Sequence, residues 1–433
     1  MLSDRYGLPV STRSPEALHA YVAGTDCILA ANAGWREHLG RAIEADPGFA
    51  LAHIALARGL FLDAETKPAR EAAARARAAA GASSERERSH VHALALSFEG
   101  RPADALAATR AHLARWPRDA MVLAPATGVF GLIGFSGRQE REQELYALLA
   151  DLAPHYGEDW WFASVFAFAA CETGRLGEAA DRVERSLAAN PRNAHGAHIR
   201  VHVWHEAGEL ARVRDYLDAW MPGYDRRGLL HCHLSWHVAL TALALGEPER
   251  AWRAYLAAVH PGASWGPPIN VASDAASFLW RAELAGEPRR LQLWRDVRAF
   301  ALKSFPAAGL VFADVHTALA CVACGDSAEL ERLLGELRER LDAGRLAAGA
   351  VVPGLVEGFA AYAKEDWDHA IRLFEQALPE TVRIGGSRAQ RDLVEHTLIA
   401  AYLKAGRAGD AHRLIERRTG RRAPVTVAGS GSP

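Results

Sequence analysis

The chain has 433 residues, half of them hydrophobic and 24% charged, with a formal net charge of −2. That balance is ordinary for a folded chain and offers no global basic field for nucleic acid or an anionic membrane. No apolar stretch reaches the roughly 20 residues that span a bilayer, the first residues lack the pattern of a signal peptide, and five scattered cysteines point to reduced thiols in a cytoplasmic setting.

In chain order, the residues predict a series of helical hairpins. A helical run ending in Gly, followed five residues on by Ala, occurs at Gly100 and Ala105, Gly174 and Ala179, Gly246 and Ala251, and Gly406 and Ala411. Related turns fall at Gly137, Gly208, Gly286, Gly325 and Glu365-Asp366. Successive turns are 34 to 41 residues apart. Gly ends the first helix because it tolerates the left-handed conformation, and the small Ala lets the second helix pack closely on the first. Pro117, Pro154 and Pro191 close second helices, each 17 residues after a turn Gly. Counting back, further turns are expected near residue 63 and at Ala23-Gly24, for about eleven hairpins.

This periodicity is the signature of an all-α, tetratricopeptide-type right-handed superhelical solenoid, here with many elongated repeats. Residues 1–420 read as one solenoid domain. The small, polar, Gly/Ser-rich stretch 421–433 reads as a disordered tail. Residues 261–268 form the longest internal breaker and predict a long loop. Cys321 and Cys324 make a lone C-x-x-C within a helix and read as packing.

Histidine is concentrated between residues 195 and 237. His195, His198, His202 and His205 are spaced 3, 4 and 3, which places them on one helix face, and His233 and His237 share a face of the next first helix. His231 belongs to the same run. Measured from the turn glycines, these positions face the concave wall of such repeats. His53, His90, His316 and His396 fall in nearly the same register, with Asp274 and Ser277 between. Two i, i+4 histidine pairs on adjacent helices can converge on a divalent transition metal, Zn, Cu, Fe or Ni, so His198, His202, His233 and His237 are the candidate ligands. Asp274 is a candidate ligand, or an acceptor for the second ring nitrogen of a ligand histidine. Histidine also titrates near neutrality, so His202, His237 and Asp274 are candidate catalytic groups. His195, His205, Trp161, Trp236, Ser277 and His316 are candidate ligand-binding residues, with Trp160, Trp204, Trp265 and Trp280 also nearby in sequence. The plain alternative is that histidine and tryptophan simply pack between helices. Seven histidines in 43 residues, in phase with one face, favour a functional cluster.

The segment from Asp159 to Gly246 resembles the tetratricopeptide repeat protein 38 family. The likeness rests on Glu172-Thr173-Gly174, Ser186 to Pro191, His198-x-x-x-His202-Val203, Gly208, and His233-Leu-Ser-Trp236-His237-x-Ala239-Leu240. It implies the helical-repeat fold and carries over only His198, His202, His233, Trp236 and His237. Here His195, His205 and His231 are additions to the family pattern.

Two functions remain open on these residues. One is a scaffold holding a small molecule or peptide in a histidine- and tryptophan-rich concave groove. The other is a metal-dependent or histidine acid/base enzyme acting on a small molecule at the His198/His202/His233/His237 cluster. No phosphate-binding loop, dinucleotide fingerprint, nucleophile elbow or H-E-x-x-H motif is present. Neither nucleic acid nor membrane is an expected partner. The alanine-rich helices are compatible with a homodimer.

Overall fold

The turn glycines shape the architecture. Gly100, Gly174, Gly208, Gly246, Gly286, Gly325 and Gly406 all take positive φ, between 69° and 100°. At Gly174 the glycine N–H donates to the Cys171 carbonyl (3.0 Å) and the Arg175 N–H to the Ala170 carbonyl (2.8 Å), and the same two bonds recur at Gly208. These bonds satisfy the last carbonyls of the first helix and reverse the chain. Ala64 and Glu365 take the same left-handed conformation without glycine, at φ 61° and 60°.

The computed structural model of the chain describes residues 2–418 and 422–431, and among them no β-strand occurs. Among the described residues, twenty-two α-helices follow one another as eleven consecutive pairs in chain order. The first four are α1 (Pro15–Leu29) with α2 (Trp35–Ala45), α3 (Ala50–Leu62) with α4 (Thr66–Ala79), α5 (Glu85–Phe98) with α6 (Pro102–Leu113), and α7 (Ala120–Thr127) with α8 (Arg141–Tyr156). The middle three are α9 (Trp160–Glu172) with α10 (Leu176–Ala189), α11 (Ala194–Glu206) with α12 (Leu210–Trp220), and α13 (His231–Ala244) with α14 (Pro248–Ala254). The last four are α15 (Pro268–Leu284) with α16 (Leu291–Ser304), α17 (Val311–Cys324) with α18 (Ser327–Asp342), α19 (Val351–Ala363) with α20 (Trp367–Ala377), and α21 (Arg388–Lys404) with α22 (Ala408–Glu416). None is long and apolar enough to cross a membrane.

The first turn lies elsewhere than the sequence predicts. Gly24 sits inside α1, where an added Cβ would come within 2.7 Å of the Leu39 side chain on α2, so its smallness serves packing. The reversal is made by Ala31 and Gly34, both at positive φ. Gly137 ends no helix either. It lies in the link 128–140 between α7 and α8.

First and second helices differ in burial. In α10 only Ala179, Val183, Ser186 and Leu187 are buried, a single stripe at helical spacing. In α11 ten of thirteen residues are buried, and in α15 fourteen of seventeen. A helix buried all round has protein on both faces, so the inner wall here is covered. The superhelix curls until distant repeats meet. The Ala194 N–H donates to the Ala30 carbonyl (3.0 Å), and the Tyr224 hydroxyl to that of Ala31 (2.5 Å). On another side Arg141 donates to the Val382 and Gly386 carbonyls (2.6 and 2.7 Å), and the Arg388 N–H to Glu172 (2.8 Å). Helix α21 thereby reaches across to α11 and α15.

Residues 422–431 are not the disordered tail expected from composition. Ala423, Val425 and Val427 are buried, and the N–H groups of Arg422 and Ala428 donate to the carbonyls of Glu206 (2.9 Å) and Leu284 (2.8 Å). The cause is a period-two apolar pattern short enough to be hidden by its Gly/Ser-rich surroundings. Arg421, Ser432 and Pro433, also assigned to that tail, lie outside the described residues.

Candidate metal centre

Two large apolar cores, one from Tyr6 to Ala169 and one from Trp236 to Val427, are joined through smaller clusters around α9 to α13. The histidines occupy that junction. The Gly208 turn fixes where α11 ends and the Gly246 turn where α13 ends, so the two helices run side by side as first helices of neighbouring pairs. The i, i+4 spacing then places His198 and His202 opposite His233 and His237.

One ring nitrogen from each of the four histidines lies within 4.8 Å of the others. The His198 and His202 Nε2 atoms are 2.8 Å apart. Ring centroids are 4.8 Å apart for His198–His233, 4.7 Å for His202–His237 and 5.0 Å for His233–His237. The residues are 0–7% exposed. Burial pushes the His198, His202 and His237 imidazoles well below 6.5, and the neighbouring rings push them further. All three are therefore neutral at pH 7, which is the form that ligates metal.

The surroundings orient the rings. His233 Nδ1 donates to the Asp274 carboxylate (2.7 Å), which turns Nε2 of the same ring away from that carboxylate. Asp274 in turn accepts a long bond from Gln390 of α21 (3.5 Å). Trp236 stacks on His233 with centroids 5.2 Å apart, and the Phe168 ring lies against His198 and His202. Two ring nitrogens, His202 Nδ1 and His237 Nε2, are buried with no hydrogen-bond partner.

The sequence thus brings His198, His202, His233, His237, Asp274 and Trp236 to one place. The remaining candidates lie apart. His195 sits near Arg58, and burial lowers its pKa to about 4. His205 falls with Glu206 and Asp392 in a separate group. Ser277 accepts from Arg281 (3.2 Å). His316 donates to the Phe312 carbonyl (2.8 Å), and burial lowers its pKa to about 4. Trp161 packs beside Tyr156 in the N-terminal core, and Trp280 beside Phe359 in the C-terminal one. Trp265, on the 261–268 loop, is 52% exposed. Cys321 is buried within α17 and its thiol is pushed up to about 12, consistent with packing.

A second buried histidine network went unread in the sequence. Asp119 accepts from Arg86 (2.7 Å), His90 (2.9 Å) and His112 (3.1 Å), and His112 also bonds Ser89 (2.9 Å). Burial opposes the charge on Asp119, but His90, the ring hydrogen bonds and Arg86 hold its carboxyl well below the usual range. His90 was visible as a member of the histidine column. His112 lies on a second helix and Asp119 before α7, so no common register links them. Gln390 was equally hidden, because only the closure of the superhelix brings α21 to Asp274.

No protein-family model matches the chain. Among solved structures, it is similar to a chain of the Naa15/Naa10 complex bound to HypK-THB, at 12% identity and a TM-score of 0.23, over 93% of this chain and 63% of that one. The chain thus spans less than two thirds of that chain's length.

Proposed function

We propose that this helical-repeat protein binds one divalent first-row transition metal through His198, His202, His233 and His237, with zinc the best match. The observation that carries the reading is chemical. Four imidazoles, three of them held neutral by burial, face one another in a buried space, and two of their nitrogens have no partner. An unsatisfied buried polar atom costs about 1–3 kcal/mol, and a cation coordinated by His237 Nε2 would give that atom a partner, while His202 presents its Nε2 to His198 (2.8 Å). Around a tetrahedral ion with Zn–N bonds of about 2.0–2.1 Å, the donors stand roughly 3.3 Å apart. The ligand nitrogens lie within 4.8 Å of one another and the His198 and His202 Nε2 atoms are 2.8 Å apart, so the farther pairs close in and this pair opens slightly. Asp274, bonded to the far nitrogen of His233, supplies the carboxylate–histidine pairing that fixes ring orientation and compensates charge.

Four protein ligands fill a tetrahedral shell, whereas catalytic zinc sites keep an open position. The proposed role is therefore to tie α11 to α13 at the junction of the two cores, in preference to the catalytic use of His202, His237 and Asp274. The same H-x-x-x-H and H-x-x-W-H pair carries the resemblance to the tetratricopeptide repeat protein 38 family, and we read the chain as a distant member. Cobalt titration tests the site. Visible bands of tetrahedral cobalt that reach an end point at one equivalent, and vanish on adding zinc, are expected. A featureless titration would remove this reading.

A further inference from the structure

The segment 422–430 lies on the edge formed by the C-terminal ends of three first helices. Its two backbone donors, Arg422 and Ala428, reach Glu206 and Leu284, which are the last residues of α11 and α15. Those carbonyls are helix-terminal acceptors that have no partner within their own helix. Six residues of extended chain span about 20 Å. Two steps between packed helices at about 8–10 Å each cover nearly the same distance. An extended chain therefore matches the repeat spacing, bonding every second first helix.

The side chains follow the same rule. Ala423, Val425 and Val427 are 6–8% exposed, while Pro424 and Thr426 are half-buried above a small cavity lined by His205, Leu240, Leu243 and Arg281. Gly208 permits the approach, since a Cβ there would stand 2.7 Å from the Arg422 carbonyl oxygen. Arg418, itself buried, donates to the Ala423 carbonyl (3.2 Å) and anchors the start of the segment. Residues 423–430 carry no charge. Main-chain bonds with pockets for alternate side chains are how proteins take extended peptides.

We propose that this edge is a docking surface for an extended, uncharged peptide with small or β-branched residues at alternate positions, and that residues 422–430 are its resident, displaceable occupant. Such a surface attachment opens at a lower free energy than the helical core. The inference is independent of the metal centre. The probe is a synthetic peptide of residues 423–430, fluorescently labelled, added to the full chain carrying V425D and V427D together. Saturable binding to that variant is expected, at least tenfold weaker binding to the parent, and none with a peptide carrying the same two aspartates. No binding to a variant with parental helicity, or equal binding to variant and parent, overturns the proposal. A second measurement needs no variant. Excess unlabelled peptide is expected to speed hydrogen exchange at the Ala428 amide of the parent while α13 is unaffected, and unchanged exchange at Ala428 contradicts displacement.

Discussion

The histidines around Asp119 and those around His202 are equally buried, yet they are different kinds of site. At Asp119 one carboxylate takes an arginine and two imidazoles, and three of the four ring nitrogens of His90 and His112 are bonded. His90 Nε2 and Arg86 Nε lack a partner. The charge of Asp119 is matched by Arg86. At His202 four imidazoles meet with no carboxylate among the converging atoms. Asp274 stands behind His233, and two nitrogens are left over. A carboxylate at the centre separates the first set from the second, where only electron-pair donors converge.

The largest expected effect falls on the Asp119 network. Asp119→Ala leaves Arg86 buried without its main partner, and breaking a buried pair this way costs about 3–5 kcal/mol. Urea unfolding should show that loss while zinc stoichiometry stays at the parental value. The converse experiment uses His202→Ala or His237→Ala. Outer-shell changes alone cost roughly 10–100-fold in metal affinity, so loss of a ligand should exceed 100-fold in a zinc competition titration. Zinc at 100 times Kd adds about 2.7 kcal/mol to stability, and these variants should show no rise in Tm when zinc is added. Asp274→Asn should give an intermediate result, about 10–100-fold weaker zinc binding with the fold retained.

Acid separates the two regions more gently. The folded pKa values of His198, His202 and His237 lie below 6.5, so the unfolded chain binds more protons between those values and 6.5. Stability of the metal-free chain therefore falls as pH drops below about 6.5. His316 adds to this between about 4 and 6.5. Asp119 acts lower down. Its folded pKa is depressed below 3.8, so its contribution is complete above 3.8 and is lost as pH falls through the folded value. Replacing His202 and His237 together by Leu should flatten the upper part of a stability–pH curve and leave the lower part in place. An unchanged upper slope would contradict the assignment.

Much of the fold was legible because the turn glycines repeat. Gly100, Gly174, Gly208, Gly246, Gly286, Gly325 and Gly406 mark hairpins by a local conformational need that a sequence displays directly. Gly24 misled because glycine also serves close packing, here against Leu39, and composition does not tell the two uses apart. The metal candidates were legible for the same reason as the fold: i, i+4 spacing is local, and repeat register places two such pairs side by side. What depended on closure of the superhelix was not legible. Gln390 meets Asp274, and Arg141 meets Gly386, only because α21 folds back across the array. The alternation of Ala423, Val425 and Val427 was present in the sequence, but three residues in a Gly/Ser-rich stretch weigh little against composition.

Occupancy of the four-histidine centre is the decisive quantity. Elemental analysis of the purified full chain, alongside His202→Ala and His237→Ala, measures it. The expected result is one transition-metal ion per parental chain and none in either variant. Absence of stoichiometric metal from the parent, even after zinc is supplied and excess removed, would contradict it.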